Sequence, residues 1–302
     1  MRVFLTGATG YIGSAVLDAL HRAGHQVVAI ARDREKVQRV SARGATAILA
    51  ELGTPKRFLD AVQNCDAVIH AAFERSPRGV DKDRQAIDML SSALTNGQGA
   101  VPRVFVYTSG VWVLGTKKSP AAEDAPLEPA AHVAWRPSHE AAVLDAGHNS
   151  LRTVVVRPGI VYGGSRGIVS DLLKDALNGL VRVIGNGKNC WPCVYDRDLA
   201  DLYVRLLQTP EAAGVFHAND EADERVNEIV EAIATHLSQK PDVRHVPLAE
   251  AAKKLGTYAE ALALDQRVRS PRARALGWTP SLRSVSGNVA RLFEEFRNTR
   301  ES

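Results

Sequence analysis

At 302 residues, with 45% hydrophobic and 24% charged residues, the chain is ordinary globular material, which excludes disorder and allows one large domain or a main domain with a smaller lobe. The formal net charge is +4 and the pI near 9.0, yet Lys and Arg are scattered among nearly as many acids, which argues against a nucleic-acid partner. The apolar stretches are broken by charge before the roughly 20 residues a membrane span needs, and MRVFLTGATG has no signal-peptide core, so a cytoplasmic protein with no membrane partner is expected.

The first half alternates short apolar runs with amphipathic stretches, the pattern of an α/β fold with a doubly wound parallel sheet covered by helices on both faces. Strands are expected at RVFLTG, QVVAIA, ATAILA, DAVIHAA, RVFVYTS and RTVVVRPG. Residues 14–22 carry Val16, Leu17 and Leu20 on one helical face, and Gly24 ends that helix as a C-cap would. Thr54-Pro55 is expected to open a helix over KRFLDAVQNC, with Pro in the first turn where its missing N–H costs nothing. Beyond residue 160 come a glycine-rich VYGGSRG, a helix at VSDLLKDALNG, a GNGKNC turn, a helix at DLADLYVRLLQ, a strand at VFHA and a mostly helical tail. The expected division is a dinucleotide-binding domain over 1–162, to which 189–218 returns, and a smaller, mainly helical substrate lobe from 163–188 and 219–302.

Cys65, Cys190 and Cys193 make an odd count with no disulfide framework, which fits a reducing compartment. Cys190-Trp-Pro-Cys193 is a C-x-x-C. A redox dithiol of that spacing opens a helix that lowers the first thiol's pKa, whereas this one leads into an apolar strand. With no second such motif or His pair to complete a zinc site, the pair reads as ordinary thiols and no metal is expected.

Thr6-Gly7-Ala8-Thr9-Gly10-Tyr11-Ile12-Gly13 joins a strand to a helix, the context in which a glycine pattern signals dinucleotide binding. Gly7 permits the tight turn, Gly10 lets backbone approach a pyrophosphate, and Gly13 lets helix pack on strand. The anion then meets the N–H groups and dipole of the helix N-terminus.

This TGxxGxxG resembles the extended short-chain dehydrogenase/reductase (NAD-dependent epimerase/dehydratase) superfamily. The likeness runs on through Asp66-Ala67-Val68-Ile69-His70-Ala71-Ala72, Val156-Arg157-Pro158-Gly159-Ile160-Val161-Tyr162-Gly163, Asp198-Leu199-Ala200 and Leu276-Gly277-Trp278-Thr279-Pro280, and so covers essentially the whole chain. Where NAD enzymes place a carboxylate after the second strand, this chain has Ala31 followed by Arg32, whose guanidinium can pair with a 2′-phosphate. NADP(H) is therefore favoured over NAD(H), with Asp33 expected to cap the next helix instead of facing that phosphate. The resemblance further implies Thr9, Tyr11 and Ile12 beside the diphosphate and Leu52 beside the adenine. It puts Ala71, Ala72 and Phe73 under the cofactor, with Thr108 among the cofactor contacts, and Pro158, Gly159 and Val161 at the nicotinamide. A homodimer through helices near Asp81 and near Ser138 is implied as well.

The family's catalysis resembles a Ser-Tyr-Lys relay, and here the sequence departs from it. Aligned from Gly115, the hydroxyl position falls on Gly110 with Ser109 beside it, and the Tyr and Lys positions fall on Trp135 and His139. An indole cannot act as an acid, though it can donate one hydrogen bond and wall a pocket. His139 is the best remaining proton donor, its slot expected to face the nicotinamide ribose, and the commoner alternative, a His that only stabilises the cofactor or its helix, stays open beside it. Ser109 and Tyr162 are further catalytic candidates; Trp112, Trp135, Glu74 and Arg166 are candidates to line the substrate site. His132 and His148 read as surface residues.

The expected function is an atypical NADP(H)-dependent oxidoreductase acting on a small organic substrate, an imine, iminium or activated double bond. A non-catalytic NADP-binding sensor or partner protein, and an epimerase or lyase holding its nucleotide tightly, stay open beside it.

Overall fold

The computed structural model describes residues 1–96 and 102–301. In chain order the elements are β1 (Arg2–Thr6), α1 (Tyr11–Arg22), β2 (Gln26–Ala31), α2 (Arg34–Ser41), β3 (Thr46–Leu49), α3 (Leu59–Gln63), β4 (Ala67–His70), α4 (Gly79–Thr95), β5 (Arg103–Thr108), β6 (Lys117–Ala121), α5 (Arg136–Asp145) and β7 (Leu151–Pro158). They continue as β8 (Ile160–Tyr162), α6 (Ile168–Leu177), β9 (Leu180–Ile184), β10 (Cys193–Tyr195), α7 (Asp196–Gln208), β11 (Gly214–Ala218), α8 (Val226–His236), β12 (Asp242–Val246), α9 (Leu248–Leu255), α10 (Thr257–Leu262), β13 (Gln266–Val268), α11 (Pro271–Ala275) and α12 (Val289–Glu301). No helix among the described residues is long and apolar enough to cross a membrane.

A seven-stranded sheet runs in the order β11-β7-β5-β4-β1-β2-β3, with β1 to β5 and β7 joined by parallel ladders. Its central strands are apolar on both faces, as a sheet covered on both sides requires. Phe4, Val68, Phe105 and Val155 are fully buried on one face, packed with Ile87 and Leu90 of α4 and Val143 of α5. The rings of Phe4 and Phe58 stack with centroids 5.6 Å apart. Each expected strand forms. The helix expected to open at Thr54-Pro55 is instead a single tight turn over Pro55–Arg57 followed by the short α3, because Phe58, turned into the core, leaves the helical backbone at φ −140°.

The chain forms two compact units. The first comprises Met1–Ser109, Pro137–Arg157 and Ala200–Phe216; the second comprises Gly110–Arg136, Pro158–Leu199 and His217–Ser302. Against the expected boundary at residue 162, residues 110–136 and 158–162 therefore group with the second unit, as do 189–199 and 217–218. The second unit has its own core, in which Tyr162, Val169, Leu173, Val183, Cys193, Ile229 and Phe293 are buried together. Its tail is mainly helical, with β12 paired to β9 and β13 paired to β6.

Candidate functional site

In the first unit, the β1–α1 turn folds tightly onto the end of β4. Gly7 has φ +76°, and a Cβ there would lie 2.6 Å from the Ala71 carbonyl oxygen; one on Gly13 would lie 2.1 Å from the Gly7 carbonyl oxygen. Only hydrogen fits at either place, so the chain packs here as a nucleotide turn must. Gly10 is the N-cap of α1 and donates its N–H to Gly7 O at 2.7 Å. Gly10 has no side chain to cap this 12-residue helix, and its first turn holds no acid, so the dipole at this end favours an anion. Thr9, Tyr11 and Ile12 are half-buried on this turn.

Arg32 is the first residue beyond β2 and is exposed. Asp33 caps α2, accepting from the Lys36 N–H at 2.8 Å and from Lys36 Nζ at 2.5 Å. Those two hydrogen bonds, the side-chain one first, hold its carboxyl below the usual range. Leu52 is half-buried against the first unit's core. The backbone N–H groups of Ala71 and Ala72 donate to Thr6 Oγ1 at 3.2 and 3.3 Å, and Phe73 is 42% exposed. The Thr108 hydroxyl lies 2.7 Å from that of Tyr203. In the second unit, Pro158 ends β7, the Gly159 N–H donates to Ala218 O at 2.9 Å, and Val161 lies in β8.

Of the three catalytic candidates, His139 sits in the first turns of α5, buried, with Nδ1 2.8 Å from Asp83 Oδ2. Asp83, on α4, also accepts from Tyr107 OH at 2.7 Å, and its Oδ1 lies 3.2 Å from His70 Nε2. Burial would raise its pKa, but the hydrogen bonds from His139, His70 and Tyr107 outweigh it and hold the carboxyl well below the usual carboxylate range. Ser109 is placed differently from the expectation: its hydroxyl donates to Glu140, which Arg157 also grips. A hydroxyl has one proton, so this geometry does not offer Ser109 as a donor to a substrate oxygen. Tyr162 is fully buried in the second unit's core, its hydroxyl donates to Leu282 O at 3.3 Å, and burial pushes its pKa far up.

The substrate candidates are split between the units. Glu74 holds Lys82 through both carboxylate oxygens, at 2.8 and 2.7 Å, which lowers its pKa. Trp112 packs edge-on against His132 and Tyr258, with centroids 6.1 and 5.9 Å away. The Arg136 guanidinium lies 4.5 Å from the Trp135 ring centroid, and Arg166 is exposed. His132 and His148 are exposed, as expected. Burial raises the pKa of the free thiols Cys190 and Cys193, the opposite of what a redox dithiol needs.

Asp83 was the residue that sequence reasoning passed over, together with Thr6, His70 and Tyr107 in a chemical role. A signal was present: Asp83, Ala86, Ile87 and Leu90 fall at i, i+3, i+4 and i+7 of α4, so an acid occupies the buried stripe of an amphipathic helix.

The parallel sheet, its order and the glycine turn at the carboxyl end of β1 define a dinucleotide-binding protein of the Rossmann type. The model of the NAD dependent epimerase/dehydratase family matches residues 3–218, and the chain belongs to that family. An uncharacterized protein of Schizosaccharomyces pombe, C2A9.02, is 30% identical over 300 residues, covering 96% of this chain and 98% of the other. A 4-hydroxy-2-methyl-3-oxo-4-farnesyl-3,4-dihydroquinoline-1-oxide ketoreductase of Stigmatella aurantiaca is 27% identical, covering 91% of this chain and 85% of the other. Among solved structures, human epimerase family protein SDR39U1 (isoform 2) with NADPH superposes with a TM-score of 0.76 at 21% identity, covering 97% of this chain and 99% of the other. The chain is an NAD(P)-dependent oxidoreductase of the short-chain dehydrogenase/reductase type.

Proposed function

We propose that the protein is an atypical NADP(H)-dependent reductase of a small organic substrate, an imine, iminium or activated double bond. The observation that carries the cofactor preference is Arg32, directly beyond β2, with Ala31 before it and the neighbouring Asp33 carboxylate tied to Lys36. A guanidinium whose neighbouring carboxylate, Asp33, is tied to a lysine suits a 2′-phosphate. The NADPH in the SDR39U1 structure supports the cofactor, and the ketoreductase relative supports a reductase.

Gly7, Thr9, Gly10, Tyr11 and Ile12 would hold the diphosphate, Arg32 the 2′-phosphate and Leu52 the adenine, with Ala71, Ala72, Phe73 and Thr108 along the strand ends. NADPH supplies a hydride when bound. His139 is the side chain that handles the proton, in the slot where the family has a Lys, while Trp135 stands where it has the Tyr. A substrate carrying its own positive charge or conjugation needs less help from a phenol, which is why imines and enones fit.

Calorimetric titration with NADPH and NADH, repeated on Arg32→Ala, tests this. NADPH is expected to bind more tightly than NADH. Loss of charge-assisted hydrogen bonds worth about 1.5–3 kcal/mol should weaken NADPH on the order of 10- to 100-fold in the variant, leaving NADH unchanged. Binding of neither nucleotide overturns the proposal; turnover with simple ketones alone overturns the substrate class.

The commitment of the Ser109 and Tyr162 hydroxyls to protein acceptors favours a second reading, a nucleotide-binding sensor without chemistry. It predicts NADPH binding with no consumption by any substrate.

A further inference from the structure

Ladder register sets Thr6 beside His70 and His70 beside Tyr107 at the carboxyl ends of β1, β4 and β5. Asp83 from α4 and His139 from α5 close over this row, and all five side chains are buried. Hydrogen-bond counting assigns the protons. Thr6 Oγ1 accepts from the N–H groups of Ala71 and Ala72, which fill its two lone pairs, so its one proton goes to His70 Nδ1, 2.7 Å away. His70 Nδ1 is then an acceptor, the ring is neutral, and its proton sits on Nε2, where it donates to Asp83 Oδ1. Tyr107 donates to Oδ2.

Asp83 is thus a buried carboxylate in contact with Tyr107 and two histidines, one of which, His70, is made an acceptor at Nδ1 by Thr6. A carboxylate has no proton to give, so in the 2.8 Å contact with Asp83 Oδ2 it is His139 Nδ1–H that donates. We propose that Asp83 is a positioning residue that holds His139 with its proton on Nδ1 and thereby leaves Nε2 as the atom through which this ring takes up and delivers a proton. The inference rests on the reading of His139 as the imidazole beside the nicotinamide ribose. It extends that reading with a group 56 residues away in sequence. The logic is that of a carboxylate orienting a catalytic imidazole.

Histidine ¹⁵N NMR on the full chain reads the tautomers directly, with His139→Gln and His70→Gln for assignment. The wild-type protein should show protonated Nδ1 and bare Nε2 at His139, and the reverse at His70. Asp83→Asn, whose amide can donate to Nδ1, should convert His139 to the Nε2–H form. NADPH should shift the His139 Nε2 resonance in the wild type, and that response should be lost in Asp83→Asn although NADPH still binds through Arg32. Nε2–H at His139 in the wild type, which needs no variant to fold, overturns the role of Asp83, as does a tautomer that Asp83→Asn leaves unchanged. Failure of the wild type to bind NADPH removes the nucleotide reading, and with it the role of Nε2, whatever the tautomers.

Discussion

Arg157 grips Glu140 inside the first unit with Nε at 3.1 Å from both carboxylate oxygens and Nη2 at 2.5 Å from Oε2. Both side chains are almost wholly buried, and Ser109 adds a donor to Oε1. Each charge is out of water and depends on the other, so removing one strands its partner. Arg157→Ala and Glu140→Ala should each cost about 3–5 kcal/mol. Ser109→Ala, which leaves the ion pair intact, should cost about 1–2 kcal/mol. Urea unfolding of the three variants checks the ranking; a Glu140→Ala protein as stable as wild type would show that the pair carries no such constraint.

The glycine turn makes a second prediction, separable from global stability. A methyl on Gly13 would lie 2.1 Å from the Gly7 carbonyl oxygen, a backbone atom with no rotamer to give way. Gly13→Ala must therefore push α1 away from the turn whose N–H groups would meet the diphosphate. The strain is on the order of 1–3 kcal/mol, and NADPH affinity should fall by about tenfold or more, since about 1.4 kcal/mol is a factor of ten. Titration of the folded variant with NADPH measures this, and unaltered affinity would argue against the turn as the diphosphate site.

How much of this was legible before the structure depends on the range of each interaction. The six strands of the first half are apolar runs bounded by turn residues, and the Asp33 cap is a local relation between residues three apart, so local pattern was enough for both. Partners set by strand register were not. Nothing near Ser109 in sequence says that Glu140 and Arg157 will meet it; that follows from β5 lying beside β7, with α5 supplying Glu140. The same holds for His139, whose slot was assigned by resemblance and whose partner appears only once α4 and α5 are placed over β4 and β5. Tyr162 belongs by sequence to a glycine-rich loop, and only the pairing of β8 with β10 shows that its ring lies in the core.

The second unit carries a pH-dependent cost of its own. Asp220 is buried, accepts one hydrogen bond at Oδ1 from the Ala222 N–H at 3.1 Å, and has no hydrogen-bond partner at Oδ2 among the described residues. Burial, with Glu224 nearby and only partly offset by Ala222 and Arg274, pushes its pKa up to about 8. In the unfolded chain the same carboxyl ionises near 3.8. Below that value both states hold the proton and Asp220 does not affect folding. As pH rises from there to about 8, the unfolded state releases a proton that the folded state keeps, so stability falls across this window and levels off above it. Asp196, pushed up to about 6 by burial and Glu295, adds to the lower half of the slope. Asp220→Asn keeps the acceptor for Ala222 and removes the ionisation. Its advantage over wild type should grow between pH 5 and pH 8 by more than about 1.4 kcal/mol, one pK unit's worth. Urea unfolding of both proteins at several pH values reads the difference directly. Parallel curves would mean that Asp220 is ionised and solvated in the folded state, and a variant that loses stability as pH rises relative to wild type would reverse the sign argued here.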